Sequence, residues 1–300
     1  MINLCLTLLG GVLSGLVLGR TLPKVASHYL GQFLFWVGVP VTIVAFTRRA
    51  ELSTALWMAP AAAWIAILIG TGITWSLKNR PTWPPSTQAS FVLSAMVGNT
   101  GYLGYPIALA LAGPAYFAWA LFYDILGTML GAYTLGIVIA AYFSRSPHHQ
   151  GWLVRALLRN PALWSFGIGL WARNWNLPPL ASQTLQGLAW VMVPLSLVLI
   201  GMRLAQVSSW KNFDRALISL AIKMLLVPGL IGIGLTLAGI PEIPKLIIVL
   251  QSGMPPAFAT LILAEAYRLD LDLTVTALTV GSLGLVITLP LWLTLLGGWG

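Results

Sequence analysis

The chain has 300 residues, of which 58% are hydrophobic and only 8% are charged, and its formal net charge is +9. Soluble domains carry about 25% charged residues, so this balance excludes a water-soluble globular fold, and apolar runs of about 20 residues along the whole length point to a polytopic membrane protein. Cys5 is the only cysteine, which leaves no internal disulfide to form.

In chain order, the first apolar run, residues 3–19, lacks a basic start and a small-residue cleavage motif, and it reads as a retained helix. Further spans are expected at 29–46, 55–77, 87–112 and 115–143. A loop over 145–160 follows, and then spans at 161–172, 183–204, 216–240, 244–267 and 273–297. The sixth is short and ends in the polar stretch Arg173-Asn174-Trp175-Asn176. The expected organisation is a first five-helix repeat over 1–143, a cytoplasmic linker over 144–160 and a second five-helix repeat over 161–300.

Two pairs of strings echo each other about half a chain apart. Val37-Gly38-Val39-Pro40 recurs as Val191-Met192-Val193-Pro194, and Gly98-Asn99-Thr100-Gly101 recurs as Gly253-Met254-Pro255-Pro256. An odd number of spans per copy sends the second copy into the bilayer from the opposite side, giving an inverted repeat. The charges agree with both termini lying outside. The inner loops then hold Arg20, Lys24, Lys78, Arg80, Arg145, Arg155, Arg159, Arg203, Lys211, Arg215 and Arg268, and the outer loops only Arg48, Arg49, Arg173 and Lys245. Membrane topology and anionic inner-leaflet lipid thus account for the positive charge without a nucleic-acid partner. Trp57, Trp83, Trp152, Trp210 and Trp299 fall near expected span ends, as interfacial anchors do.

The fourth span contains Gly98-Asn99-Thr100-Gly101-Tyr102-Leu103-Gly104-Tyr105-Pro106, where Gly98, Gly101, Gly104 and Pro106 each cost about 1 kcal/mol or more in a helix interior. The ninth repeats the device in Gln251-Ser252-Gly253-Met254-Pro255-Pro256, whose adjacent prolines remove two amide donors. Irregular backbone at membrane depth must be buried in protein or line a watery cavity. The expected fold is therefore all-α, with ten transmembrane helices in a 5+5 inverted repeat and broken helices 4 and 9 crossing near mid-membrane. Half-helices that start there aim free amides and partial positive charge inward, which favours an anion. Asn99, Thr100, Gly101, Gln251, Ser252, Pro255 and Pro256 are the candidate substrate-binding residues, and Gly98, Gly104, Pro106, Gly253 and Met254 break the helices. Glycine and proline are also frequent in membrane helices for packing alone; matched breaks in two halves favour the site.

These two strings, with Ala264-Glu265 closing the ninth span, resemble the auxin efflux carrier family, which includes plant PIN carriers and bacterial malate-permease-like proteins. Asn160-Pro161 and Pro194-Leu195-Ser196-Leu197-Val198-Leu199-Ile200-Gly201 resemble its second half, so the likeness covers nearly the whole chain. It implies ten helices, a scaffold part from the first, second, sixth and seventh, a transport part from the others, a crossover site for an organic anion, and a homodimer. The long hydrophilic loop of plant PIN carriers is absent, and auxin specificity does not carry over.

Ionisable groups within spans are functional candidates. Asp124 lies about 15 Å into the fifth helix, sharing a face with Ala120, Gly127, Thr128 and Gly131, and could carry a coupling proton or clamp neighbouring helices. For Lys223 the favoured reading is snorkelling toward the inner surface, and the sharper one is pairing with Asp124 or a substrate anion. Glu265 and Arg268 are expected to form an interfacial ion pair. His148 and His149 have no other ligand nearby at metal spacing, and no nucleophile with its base stands out, so no metal, cofactor or catalytic site is expected. The sequence reads as a secondary transporter in a cell membrane, exporting or exchanging a small organic anion such as a carboxylate by alternating access. The alternatives are a proton- or sodium-coupled symporter and a channel; amides and hydroxyls at the breaks make sodium the weaker coupling ion.

Overall fold

The computed structural model describes residues 2–78, 82–144, 158–205 and 211–296. Arg80, Arg145, Arg155, His148, His149, Trp152, Trp210, Trp299 and nearly all of the linker lie outside the described residues. Where a chain is too apolar for its backbone to be satisfied by water, helices meet the hydrogen-bonding demand internally. The described residues accordingly form helices with no strand among them. In chain order these are α1 (Ile2–Thr21), α2 (Lys24–Thr47), α3 (Thr54–Leu77), α4 (Pro85–Met96), α5 (Thr100–Ala112), α6 (Pro114–Ser144), α7 (Pro161–Trp171), α8 (Pro179–Ala205), α9 (Phe213–Leu237), α10 (Glu242–Ser252), α11 (Phe258–Ala266) and α12 (Leu271–Leu295).

Six of them, α2, α3, α6, α8, α9 and α12, are long and apolar enough to cross a membrane. Their outward faces stay apolar as well, with Ile65, Leu68, Val138, Ile233 and Ile287 exposed, which suits lipid and not water. Several helices begin at proline, which has no amide hydrogen to strand in the first turn, as in α4, α7 and α8. Asn160 completes the start of α7 by accepting from the Ala162 N–H at 3.0 Å. Three helices widen into π-turns just before an internal proline: Leu34–Gly38 before Pro40, Thr100–Gly104 before Pro106, and Ile222–Leu226 before Pro228. The wider turn relieves the clash between the proline ring and the preceding carbonyl. Two further π-turns in α6, Asp124–Met129 and Ala132–Gly136, have no proline behind them.

The chain forms two compact units. The first comprises Met1–Leu56, Gly101–Leu121 and Leu158–Val207. Its central contact is α1 against α8, where Gly11, Gly15 and Gly19 face Leu197, Val198, Gly201 and Met202. A Cβ on Gly15 would stand 2.1 Å from the Val198 carbonyl oxygen, and one on Gly201 2.0 Å from that of Val12, so the two backbones touch. Membrane helices associate in this way because lipid supplies no hydrophobic drive between them and close backbone approach does. Leu34, Met192 and Leu199 add an apolar cluster with Tyr102 and Leu195 packed on it. Arg48 donates to the carbonyls of Ala172 and Trp175, satisfying the end of the short helix α7 and its following 3-10 turn, Ala172–Asn174.

The second unit comprises Trp57–Thr100, Phe122–Leu157 and Ser208–Gly300. Its core draws Ile67, Val92, Met96, Ile139 and Leu263 together. Asp270 ties down one end of this unit. Its Oδ1 accepts from the Leu273 N–H at 2.9 Å and so caps α12, while Oδ2 accepts from Thr87 Oγ1 at 2.6 Å and Asn212 Nδ2 at 3.1 Å. Ser90 Oγ donates to the Asp270 carbonyl at 3.0 Å. Glu265 and Arg268 do not form the ion pair expected of them. Arg268 adopts a left-handed backbone, φ 53°, as the chain turns out of α11, and that turn takes its side chain off the helix face that the spacing assumed.

Candidate functional site

The interruptions lie within the second unit and pair with each other. The last residue of α4 is Met96, after which Val97 is extended, and the chain becomes helical again at Thr100. Between α10 and α11, residues 253–257 are likewise non-helical. Gly98 and Pro256 stand opposite each other in an isolated antiparallel bridge. The Asn99 N–H donates to the Pro255 carbonyl at 2.7 Å, and the Ala257 N–H donates to the Val97 carbonyl at 3.0 Å.

This register follows from the prolines. Neither Pro255 nor Pro256 has an amide hydrogen, and the bridge asks nothing of Pro256 because it occupies the non-hydrogen-bonded position, while Pro255 contributes only its carbonyl. Gly98 suits a close approach: a Cβ there would lie 3.1 Å from the Met254 carbonyl oxygen and 3.3 Å from Lys223 Cε, tighter than side chains ordinarily pack. Gly281 of α12 backs the other side, where an added Cβ would meet Pro255 and Pro256 at 3.0 Å.

The polar residues expected at the breaks are deeply placed. Asn99 is 5% exposed, Thr100 and Gln251 are each 1% exposed, and Ser252 is fully buried. Gln251 is the unusual member, because both its side-chain oxygen and its side-chain nitrogen are buried without a hydrogen-bond partner. Leaving such atoms unsatisfied costs about 1–3 kcal/mol each, which is the mark of a group held for something else. Ser252 spends its hydroxyl on its own helix, donating to the Val249 carbonyl at 2.7 Å. Gly253, Met254, Pro255 and Pro256 form the buried non-helical segment between α10 and α11. Gly101, Gly104 and Pro106 belong to the first unit, in the π-turn and opening turn of α5.

Two ionisable side chains meet these segments, and both stand in π-turns, a local signal that spacing alone did not carry. Thr100 Oγ1 donates to Asp124 Oδ1, placing a carboxylate beside the first residue of α5. Lys223 does not snorkel. It is 2% exposed, and its Nζ donates to the Ser252 carbonyl at 2.9 Å, because the widened turn directs the side chain inward onto the end of α10. Asp124 and Lys223 do not pair with each other. No group of three or more His, Cys, Asp or Glu suited to a metal ion occurs among the described residues.

The chain matches the family model described as "Membrane transport protein" over residues 1–293. It is 27% identical over 306 residues to an uncharacterized transporter of Methanothermobacter thermautotrophicus, an alignment that covers 96% of this chain and 94% of that protein. It is also 26% identical over 210 residues to the uncharacterized transporter MJ1031 of Methanocaldococcus jannaschii, covering 67% of this chain and 66% of that one. A multi-pass helical membrane protein whose sequence matches from end to end in this way belongs to the membrane transport protein family, the auxin efflux carrier family that its break motifs resemble.

Proposed function

We propose that this protein is a secondary carrier that exports or exchanges a small organic anion, such as a carboxylate, by alternating access. The observation that carries the reading is the pair of interrupted helices bonded to each other around buried Asn99, Thr100 and the unpartnered amide of Gln251. A carboxylate is a partner that the Gln251 amide lacks: it accepts from amide nitrogens, and the positive end of a half-helix favours its charge. In this reading the ten spans form a 5+5 inverted repeat, with α4–α5 and α10–α11 as the crossing broken helices. Gly38 and Met192, at matched positions of one pair of echoing strings, lie against each other, and the other pair of strings meets where Gly98 approaches Met254, which supports a relation between the halves. The scaffold would hold the first, second, sixth and seventh spans, two copies would form a homodimer, and both termini would face outward. The division of the chain into two compact units supports this grouping, although Gly101–Leu121 joins the first unit.

Purified protein in proteoliposomes tests the proposal. Saturable movement of one carboxylate among dicarboxylates, aromatic acids and amino acids is the expected result, after a thermal-shift screen for ligands that stabilise the native state. Ion conductance without saturation would identify a channel instead. A proton-coupled form of the same carrier is favoured by one contact, the Thr100 hydroxyl on Asp124, which sets a protonatable group at the break.

A further inference from the structure

The carboxyl end of α10 leaves its last four carbonyls beyond the reach of its own helix. The Val249 and Leu250 carbonyls accept from the Gly253 N–H at 3.0 and 3.1 Å, and the Gln251 carbonyl accepts from the Met254 N–H at 3.3 Å. The fourth, Ser252, accepts from Lys223 Nζ. The Lys223 side-chain nitrogen therefore sits at the negative end of a half-helix, buried, and among the described residues no carboxylate pairs with it. Its stem lies over Gly98, where an added Cβ would stand 3.3 Å from Lys223 Cε. An ammonium has three donors, and the Ser252 carbonyl takes one.

Carriers built on interrupted helices hold their coupling cations at such half-helix carbonyl ends and unwound carbonyls. We propose that the Lys223 ammonium is a built-in cation, standing at the carbonyl end of α10 where a cation-coupled carrier binds an alkali-metal ion, and supplying the fixed charge that draws an organic anion to the break. The inference rests on the carrier reading above. It removes any need for sodium or potassium in the transport cycle, since the cation is part of the protein.

The experiment compares the intact protein with Lys223→Ala and Lys223→Met in proteoliposomes containing sodium, potassium or choline. The unaltered protein is expected to carry its anion equally in all three salts. Both variants should lose flux by about tenfold or more, as truncating a buried charge partner does. Methylammonium or sodium should restore Lys223→Ala, which leaves room at the Ser252 carbonyl, and should leave Lys223→Met inactive, because the methionine fills that room. Sodium or potassium dependence of the unaltered protein, full flux through Lys223→Met, or a folded Lys223→Ala that no cation restores would each overturn the proposal. Thermal unfolding of Lys223→Ala in detergent, with and without methylammonium, needs no substrate. If the unaltered protein moves no carboxylate, the carrier reading falls alone, and stabilisation by methylammonium or its absence still decides the ammonium's place.

Discussion

The Asn99 backbone N–H donates to the Pro255 carbonyl at 2.7 Å, so each interruption holds the other open. A side-chain change at position 99 leaves that bond in place. Asn99→Ala is therefore expected to keep its fold, with a thermal unfolding midpoint near that of the unaltered protein, while losing an amide donor to the substrate. Hydrogen bonds to a charged group contribute about 1.5–3 kcal/mol, so ligand affinity should fall about tenfold or more. Binding measured by ligand-dependent thermal shift checks this, and unchanged affinity would remove Asn99 from the site.

Asp124→Asn separates charge from hydrogen bonding. Asparagine still accepts from the Thr100 hydroxyl, so the helix arrangement should survive, but the protonatable group is gone. If Asp124 carries a coupling proton, flux through the variant becomes indifferent to an imposed pH gradient and follows membrane voltage alone. At about 2.3 kcal/mol per charge per 100 mV, an inside-negative potential is sufficient to drive anion efflux. Flux at clamped voltage and varied pH reads the difference, and an unaltered pH response would assign Asp124 a clamping role.

The breaks were legible in the sequence because glycine and proline act on the local backbone, and Gly98 and Pro256 needed no knowledge of the fold to be singled out. The same local logic gave the helical class. The inward course of Lys223 is not legible from its depth along the chain, which does not tell which way a side chain leaves the helix; Lys223 stands in a π-turn that ends two residues before Pro228. The α1–α8 contact left a readable trace, glycines at 11, 15 and 19, whereas its partner Gly201 is fixed only by long-range packing. Arg48 also ends α7, a role that depends on residues more than a hundred positions away and so leaves no local trace.

Gly201→Leu should unfold the first unit's central contact, since even a Cβ would stand 2.0 Å from the Val12 carbonyl oxygen. Overpacking costs about 1–3 kcal/mol or more when the neighbour is backbone that cannot yield. Gly234→Ala makes the contrast: nothing lies within 4 Å of its added Cβ, and reduced freedom of the unfolded chain should stabilise it by about 0.4–1 kcal/mol. Thermal unfolding in one detergent ranks the two, and equal midpoints would contradict the packing argument.

Two neighbouring aspartates at the start of α12 should differ in the same assay. Asp270→Ala removes a helix cap and strands Thr87 and Asn212, with an expected cost of roughly 2–4 kcal/mol. Asp272 pairs with Lys211 at 3.3 Å, but their side chains are 45% and 77% exposed, so Asp272→Ala should cost about 0–1 kcal/mol. Comparable losses would mean that the Asp270 cluster does not hold this end together.

Both termini facing outward is a claim about charge, and cysteine labelling tests it. Cys5 is the only cysteine, so Cys5→Ser gives a background in which single cysteines report position. Ser53 is exposed in a loop and Glu242 at the start of α10, both in segments with few basic residues, and Lys211 is exposed in a basic segment with Arg215 near it. Basic loops are retained on the cytoplasmic side during insertion. A membrane-impermeant maleimide added to intact cells should therefore label Ser53→Cys and Glu242→Cys at once, and Lys211→Cys only after permeabilisation. The reverse pattern would turn the whole topology over. Labelling of Ser53→Cys and Glu242→Cys from opposite sides would break the ten-span inverted repeat, because about six spans, the third to the eighth, then lie between them and an even number returns the chain to the same face.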